Sequence, residues 1–186
     1  MISGRGSNMT SIINACKAPD FPSRVVAVIS DNAGAKGLDY ARAEHIQISV
    51  IDYSEYNNRA GFEKALYSEL QNLEYDCICL AGFMRVLSSE FLEKLGNKTI
   101  LNIHPSLLPK HKGLSVHQKV LKAGDTESGC TVHKVTAEVD SGEIIVQKTV
   151  PVMKNDTEES LAQRILEKEH IAYPEALRKI AKNYKN

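Results

Sequence analysis

The chain has 186 residues, 42% of them apolar, enough for one sizeable core, and its 23 basic and 23 acidic side chains cancel to a formal net charge of zero. That balance excludes a global field able to gather nucleic acid or a membrane surface, so an anionic ligand has to be held by local geometry. No apolar run approaches the roughly 18 residues of a transmembrane helix; no signal peptide precedes the first motif, and Cys16, Cys77, Cys79 and Cys130 follow no zinc spacing, which together predict a cytoplasmic, metal-free protein with reduced thiols.

The first motif is Ser3-Gly4-Arg5-Gly6-Ser7-Asn8, ahead of a helical stretch that begins around Met9. A glycine-rich turn entering a helix presents free N–H groups and a positive dipole end, which makes an anion site. The pattern lacks the third glycine of the dinucleotide fingerprint, although Asp31, at the end of the next strand, could imitate the ribose-binding acid of that motif. Taken alone, it reads equally well as an ordinary strand-to-helix turn. Loops of this kind hang from a central strand, and only Met1 and Ile2 come first, so the N-terminal strand is expected to be truncated.

Residues 24–30, 46–52, 76–83 and 98–104 are near-continuous apolar runs of strand length, as expected where both faces of a sheet are covered. Between them, Phe62, Leu66, Leu70 and Leu73 form one apolar stripe on a helix over 58–73, and 88–95 and 116–123 are shorter helical candidates. From Gly129, two strands are separated by Ala137-Glu138-Val139-Asp140-Ser141, too short for a crossover helix, so they pair antiparallel. Asp156 with Glu159 resembles a helix N-cap, and a long helical pattern then runs toward Tyr184, with a kink or break expected at Pro174. The prediction is an α/β fold: a Rossmann-like, mostly parallel open sheet with an antiparallel C-terminal strand pair and a long C-terminal helix. No repeat or linker divides it, so residues 1–186 are read as a single domain.

Chemistry concentrates where the fourth run ends. Asn102 and His104 stand two apart, so a strand presents them on one face, and Pro105 and Pro109 then force the chain out of the sheet. An amide and an imidazole converging on one spot could stabilise an oxyanion. Each residue alone has a plainer role: an isolated histidine is more often a hydrogen-bonded structural group, and Asp140 before Gly142 is an ordinary turn aspartate.

The run Asn102-Ile103-His104-Pro105-Ser106-Leu107-Leu108-Pro109, with LAGFMRVL upstream and VDSGEII downstream, resembles the folate-dependent formyltransferases. The likeness extends from the SGRGSN loop through KEHIAYP, nearly the whole chain, and three motifs in the right order are far more specific than one. It implies transfer of a formyl group from 10-formyltetrahydrofolate, as co-substrate, to the amine of glycinamide ribonucleotide in purine synthesis. Asn102, His104 and Asp140 match the catalytic residues, with Asp140 expected to raise the His104 pKa and to relay a proton through water. Gly6, Ser7 and Asn8 match the phosphate turn, and Glu169 matches a carboxylate for the glycinamide end. Met84, Arg85, Val86 and Leu87 match the lining of the pterin pocket, which Asn102 also serves, and Arg59 matches an arginine for the glutamate tail of the folate.

The partners implied are small molecules, without metal, nucleic acid or membrane, and a homodimer is compatible with the sequence. Glu169, Arg59 and Arg85 also have a plainer reading as solvated charges, and His111, His117 and His133 are read as non-catalytic. Two departures from the family pattern stand near the motifs: Ser115 where relatives often carry histidine, and Lys134 where an aromatic residue is common. A methionyl-tRNA formyltransferase would need a further domain and a basic surface, a formyltetrahydrofolate hydrolase would use the same triad without an amine acceptor, and a sugar-nucleotide N-formyltransferase is a more distant relative. A non-catalytic nucleotide-binding module would leave Asn102, His104 and Asp140 without a purpose.

Overall fold

A computed structural model describes residues 1–184, apart from the side chain of Asn183, as two compact units, the first running from Met1 to Ile100 and the second beginning at Leu101. In the first unit the order is α1 (Ser7–Cys16), β1 (Ala27–Ser30), α2 (Gly37–Ala43), β2 (Gln47–Val50), a 3-10 turn (Tyr53–Glu55), α3 (Arg59–Gln71), β3 (Cys77–Leu80) and α4 (Ser89–Leu95). β1 and β2 pair in parallel, Ala27 opposite Gln47 through Ser30 opposite Val50. Each strand is shorter than its apolar run, because ladder hydrogen bonds end before the apolar side chains do. The helix α2 has no apolar stripe of useful length and was not expected.

Ahead of the glycine loop, residues 1–3 form an isolated bridge rather than a named strand and are hydrogen bonded on both sides. Ile2 N–H donates to Ile29 O at 3.0 Å, Ala81 N–H to Met1 O at 2.9 Å and Ser3 N–H to Gly82 O at 3.1 Å. Ile2 is fully buried and bridges Ser30 in parallel. Of the apolar stripe predicted for α3, Phe62, Leu66 and Leu70 are buried, while Leu73 lies half-buried past the end of the helix; Asn58 caps the helix by accepting from Gly61 N–H at 2.9 Å. Fully burying a side chain of this size contributes about 1.5–3 kcal/mol.

In the second unit, β4 (Thr99–His104) enters from its last residues in the first and is followed by α5 (Val116–Ala123), β5 (Glu127–Lys134), β6 (Ile144–Pro151), α6 (Glu158–Ala181) and a 3-10 turn (Lys182–Tyr184). β4 pairs antiparallel with β5, and β5 antiparallel with β6, with a register irregularity at Val132 and His133. The β5–β6 pair is as expected from the short connection. The antiparallel β4–β5 pairing is new, since an apolar run does not encode strand direction.

α6 packs against β5 and β6 through buried Leu161, Ile165, Tyr173 and Leu177, and the Tyr173 hydroxyl donates to Leu101 O at 3.0 Å. It continues through Pro174, so of the kink or break expected there the break does not occur. The buried residues on either side of that proline, Tyr173 and Ala176 among them, hold the turn in place. The cap is Thr157, in a reciprocal box with Ser160; Asp156 instead holds Arg164 at 2.7 Å. Among the described residues, no helix is long and apolar enough to cross a membrane.

Candidate functional site

Alternation along β4 puts Asn102 and His104 on one face, and the register sets His133 opposite Asn102 and Thr131 opposite His104. Thr131 is fully buried and anchors the proline-containing segment that follows: it accepts from Leu108 N–H at 3.0 Å and donates to Ser106 O at 2.6 Å. Gln147 of β6 donates to Leu108 O at 2.8 Å, so the segment is tied to two strands. Asp140 comes to the same spot from the β5–β6 connection. Its Oδ2 lies 3.3 Å from His104 Nδ1 and accepts from Gly113 N–H at 2.9 Å, and its Oδ1 lies 3.5 Å from His133 Nε2.

The backbone reaches this arrangement through left-handed positions. Asp140 has φ 51°, a region aspartate tolerates better than most residues, and the facing loop has φ 54° at His111 and 77° at Gly113. Such conformations persist where surrounding bonds over-determine them, as the Gly113 to Asp140 bond does here.

Hydrogen-bond partners assign the protons. His133 Nδ1 lies 2.9 Å from Lys134 O, which can only accept, so Nδ1 carries hydrogen. In the neutral ring Nε2 then accepts from Asn102 Nδ2, 3.3 Å away, which turns the amide N–H₂ edge inward and leaves its second hydrogen free. His133, read from sequence as non-catalytic, is thus built into the cluster: a strand position says nothing of what lies opposite until the register is known. The His111 side chain is drawn off to Asp125 at 2.6 Å, while its carbonyl accepts from His104 Nε2 at 2.9 Å.

Both nitrogens of His104 therefore face acceptors, a setting made for the doubly protonated ring. Burial nevertheless pushes its pKa below 6.5, outweighing the upward pulls of the His111 carbonyl and Asp140. Asp140 raises it as expected, but His104 is only 6% exposed and desolvation outweighs that pull. Asp140 itself is pushed up by burial, but the facing His133 ring, the Gly113 N–H that it accepts from and the His104 ring together bring it below its ordinary value, so it rests ionised.

A pH dependence of stability follows. Burial also lowers the pKa of His117 and His170 from 6.5. A histidine with a depressed folded-state pKa leaves the unfolded chain to take up protons first, so its contribution is intact above 6.5 and lost as pH falls below it. The melting temperature is expected to drop between pH 7.5 and 5.5, and less steeply in His104→Gln. An unchanged slope in that variant would remove His104 from this account.

In the first unit, Gly6 caps α1 with φ 71°, and a Cβ there would meet Gly37 Cα at 3.0 Å, so the close approach admits only glycine. Ser7 and Asn8 form the first helical positions, where backbone N–H groups lack helical acceptors. Arg59, Met84, Arg85, Val86 and Leu87 lie around one cavity of about 190 Å³, which Tyr53, Phe62 and Glu63 also line. Asp31 does not serve as a ribose acid: its side chain is 0% exposed and held by Arg85.

Glu169 is buried on α6; burial pushes the Cys130 thiol up to about 12, and the Glu169 charge adds to that. Cys130 points to the other side of β5 from Thr131. Among the described residues, no group of three His, Cys, Asp or Glu side chains is arranged to hold a metal ion.

A family model described as formyl transferase matches residues 1–177. The chain is 48% identical over 186 residues to the trifunctional purine biosynthetic protein adenosine-3 of Chironomus tentans, covering 99% of this chain but only 14% of that protein. It is 42% identical over 174 residues to the phosphoribosylglycinamide formyltransferase of Escherichia coli (strain K12), covering 94% of this chain and 82% of that one. Among solved structures, phosphoribosylglycinamide formyltransferase from Brucella melitensis superposes with a TM-score of 0.91 at 48% identity, over 97% of this chain and 92% of that one.

Proposed function

The chain belongs to the formyl transferase family, and from that premise we propose that it transfers the formyl group of 10-formyltetrahydrofolate to the amine of glycinamide ribonucleotide, releasing tetrahydrofolate, in purine biosynthesis. The observation that carries this reading is the convergence of Asn102, His104, His133 and Asp140 on one face of the β4–β5 pair.

In the proposed reaction the acceptor amine attacks the formyl carbon and the carbonyl oxygen gains negative charge. The free Asn102 amide hydrogen and the His104 Nε2–H stabilise that oxygen, which takes the place of the His111 carbonyl as acceptor. An anion beside the ring favours the imidazolium that burial otherwise opposes, so His104 takes a proton from solvent as that charge develops and returns it when the tetrahedral species collapses. Asp140, ionised and bonded to Gly113 N–H, holds the ring through Nδ1 and receives the proton of the attacking amine through water. The tetrahedral species then collapses: the bond from carbon to folate nitrogen breaks, the proton passes to that nitrogen, and the formamide remains.

The cavity suits the donor, offering apolar walls, guanidinium groups and the irregular 84–87 backbone to a flat heterocycle with a hydrogen-bonding edge. Gly6, Ser7 and Asn8 are assigned the ribonucleotide phosphate and Glu169 the glycinamide end.

The test is tetrahydrofolate release from 10-formyltetrahydrofolate with and without glycinamide ribonucleotide. Acceptor-dependent release supports the transferase. Release that ignores the acceptor would make the protein a hydrolase, and no release would overturn the reading.

A further inference from the structure

Asp31 stands at the carboxyl end of β1 as a buried carboxylate that the formyl-transfer chemistry does not use. Its Oδ2 accepts from Arg85 Nε at 2.6 Å. Its other oxygen, Oδ1, is buried without a hydrogen-bond partner among the described residues. A buried carboxylate is costly unless paired, so Arg85 is the group on which its burial depends. The guanidinium is held on a second side by the Tyr53 ring, with Cζ 4.0 Å from the ring centroid.

Asp31 also sets Tyr53, because the Tyr53 N–H donates to Asp31 O at 3.0 Å. The turn carrying Tyr53 is closed by Asp52, which accepts from Ser54 N–H at 2.9 Å and from Ala33 N–H at 3.2 Å. The loops that follow β1, β2 and β3 thus meet on one side chain.

That side chain belongs to the irregular segment 84–87 along the cavity, whose ends are pinned separately. Met84 N–H donates to Ser3 Oγ at 2.8 Å, and Ser88 N–H donates to Glu63 Oε1 at 2.7 Å. Between these pins, the N–H groups of Val86 and Leu87 donate to no protein atom among the described residues. They form an open edge in a stretch with no ladder to stiffen it, and the Arg85 side chain anchors it by a hydrogen bond beside the buried Leu87.

We propose that Asp31 is a positioning residue for the occupant of this cavity: with Tyr53 it fixes Arg85, and through Arg85 it sets the 84–87 backbone before the ligand arrives. The proposal rests on the reading of the cavity as the seat of the folate donor. A free arginine side chain gives up substantial rotamer freedom when it is ordered, and here that loss has already been taken in the unliganded protein. Affinity gained this way appears in donor binding and leaves the chemical step alone.

The experiment compares full-length wild type with Asp31→Asn, Arg85→Met and the double variant. Readouts are KM for 10-formyltetrahydrofolate, KM for glycinamide ribonucleotide, kcat, the melting temperature, and tetrahydrofolate binding by calorimetry. Asp31→Asn is expected to raise the donor KM and the tetrahydrofolate Kd on the order of tenfold, the scale of ordering one freed arginine side chain on binding, with kcat and the acceptor KM near wild type. In the Arg85→Met background the same change is expected to add nothing, because Asp31 acts through Arg85.

Wild-type binding by Asp31→Asn, or a parallel fall in kcat, both affinities and melting temperature, would overturn the positioning role. A wild-type protein that neither binds tetrahydrofolate nor turns over the donor would instead overturn the assignment of the cavity.

Discussion

Asp140→Asn is expected to lower kcat by about two to three orders of magnitude, the loss that follows removal of one preorganised group from an oxyanion site, while the protein melts close to wild type. The asparagine keeps the shape and can still accept from Gly113 N–H, so the connection between β5 and β6 stays in place. What disappears is the charge facing His104 Nδ1 at 3.3 Å and His133 Nε2 at 3.5 Å. Without it, nothing opposes the burial that keeps the His104 ring neutral except the His111 carbonyl. His104→Ala should show a loss of similar size, and the double variant should lose little more, because the two groups act as a unit. Steady-state turnover at saturating donor and acceptor, with a thermal melt for each variant, is the measurement. Near-wild-type turnover in either single variant would remove that residue from the chemistry.

The second large effect is expected at Gly142, where φ is not positive and the requirement is space. A Cβ there would lie 1.8 Å from Lys134 O and 2.8 Å from Lys134 C. Those are backbone atoms at the end of β5, tied down where Lys134 N–H donates to Glu143 O at 2.9 Å, so the connection has to move instead. Asp140 sits two residues earlier in a left-handed conformation with φ 51° and shifts with it. Gly142→Ala should therefore lose turnover about as severely as Asp140→Asn, by orders of magnitude, and in addition about 1–3 kcal/mol of stability from overpacking. Urea denaturation separates the two losses. A variant with normal kcat would show that the connection yields without displacing the carboxylate.

Gly142 illustrates how a motif can be legible while its cause is not. VDSG reads as a turn with an acid in it, and the residue types are right, yet the need for glycine comes from a carbonyl eight residues earlier on the neighbouring strand. His133 is the complementary case. Its strand was recognised, but its place opposite Asn102 depends on the β4–β5 register, and β4 carries no mark of being antiparallel to its neighbour. Asp31 was legible only as an acid at a strand end; its pairing with Arg85 joins residues far apart in the chain.

By itself the sequence determined the alternation of strands and helices, the shared face of Asn102 and His104 and the antiparallel pair around Asp140, because periodicity and turn chemistry are local properties of the chain. Only the tertiary structure decided that His133 orients the Asn102 amide, that α6 runs through Pro174, and that His104 rests with a lowered pKa. Those outcomes turn on register, packing and desolvation, which arise from residues brought together by folding and have no counterpart in any single stretch of sequence.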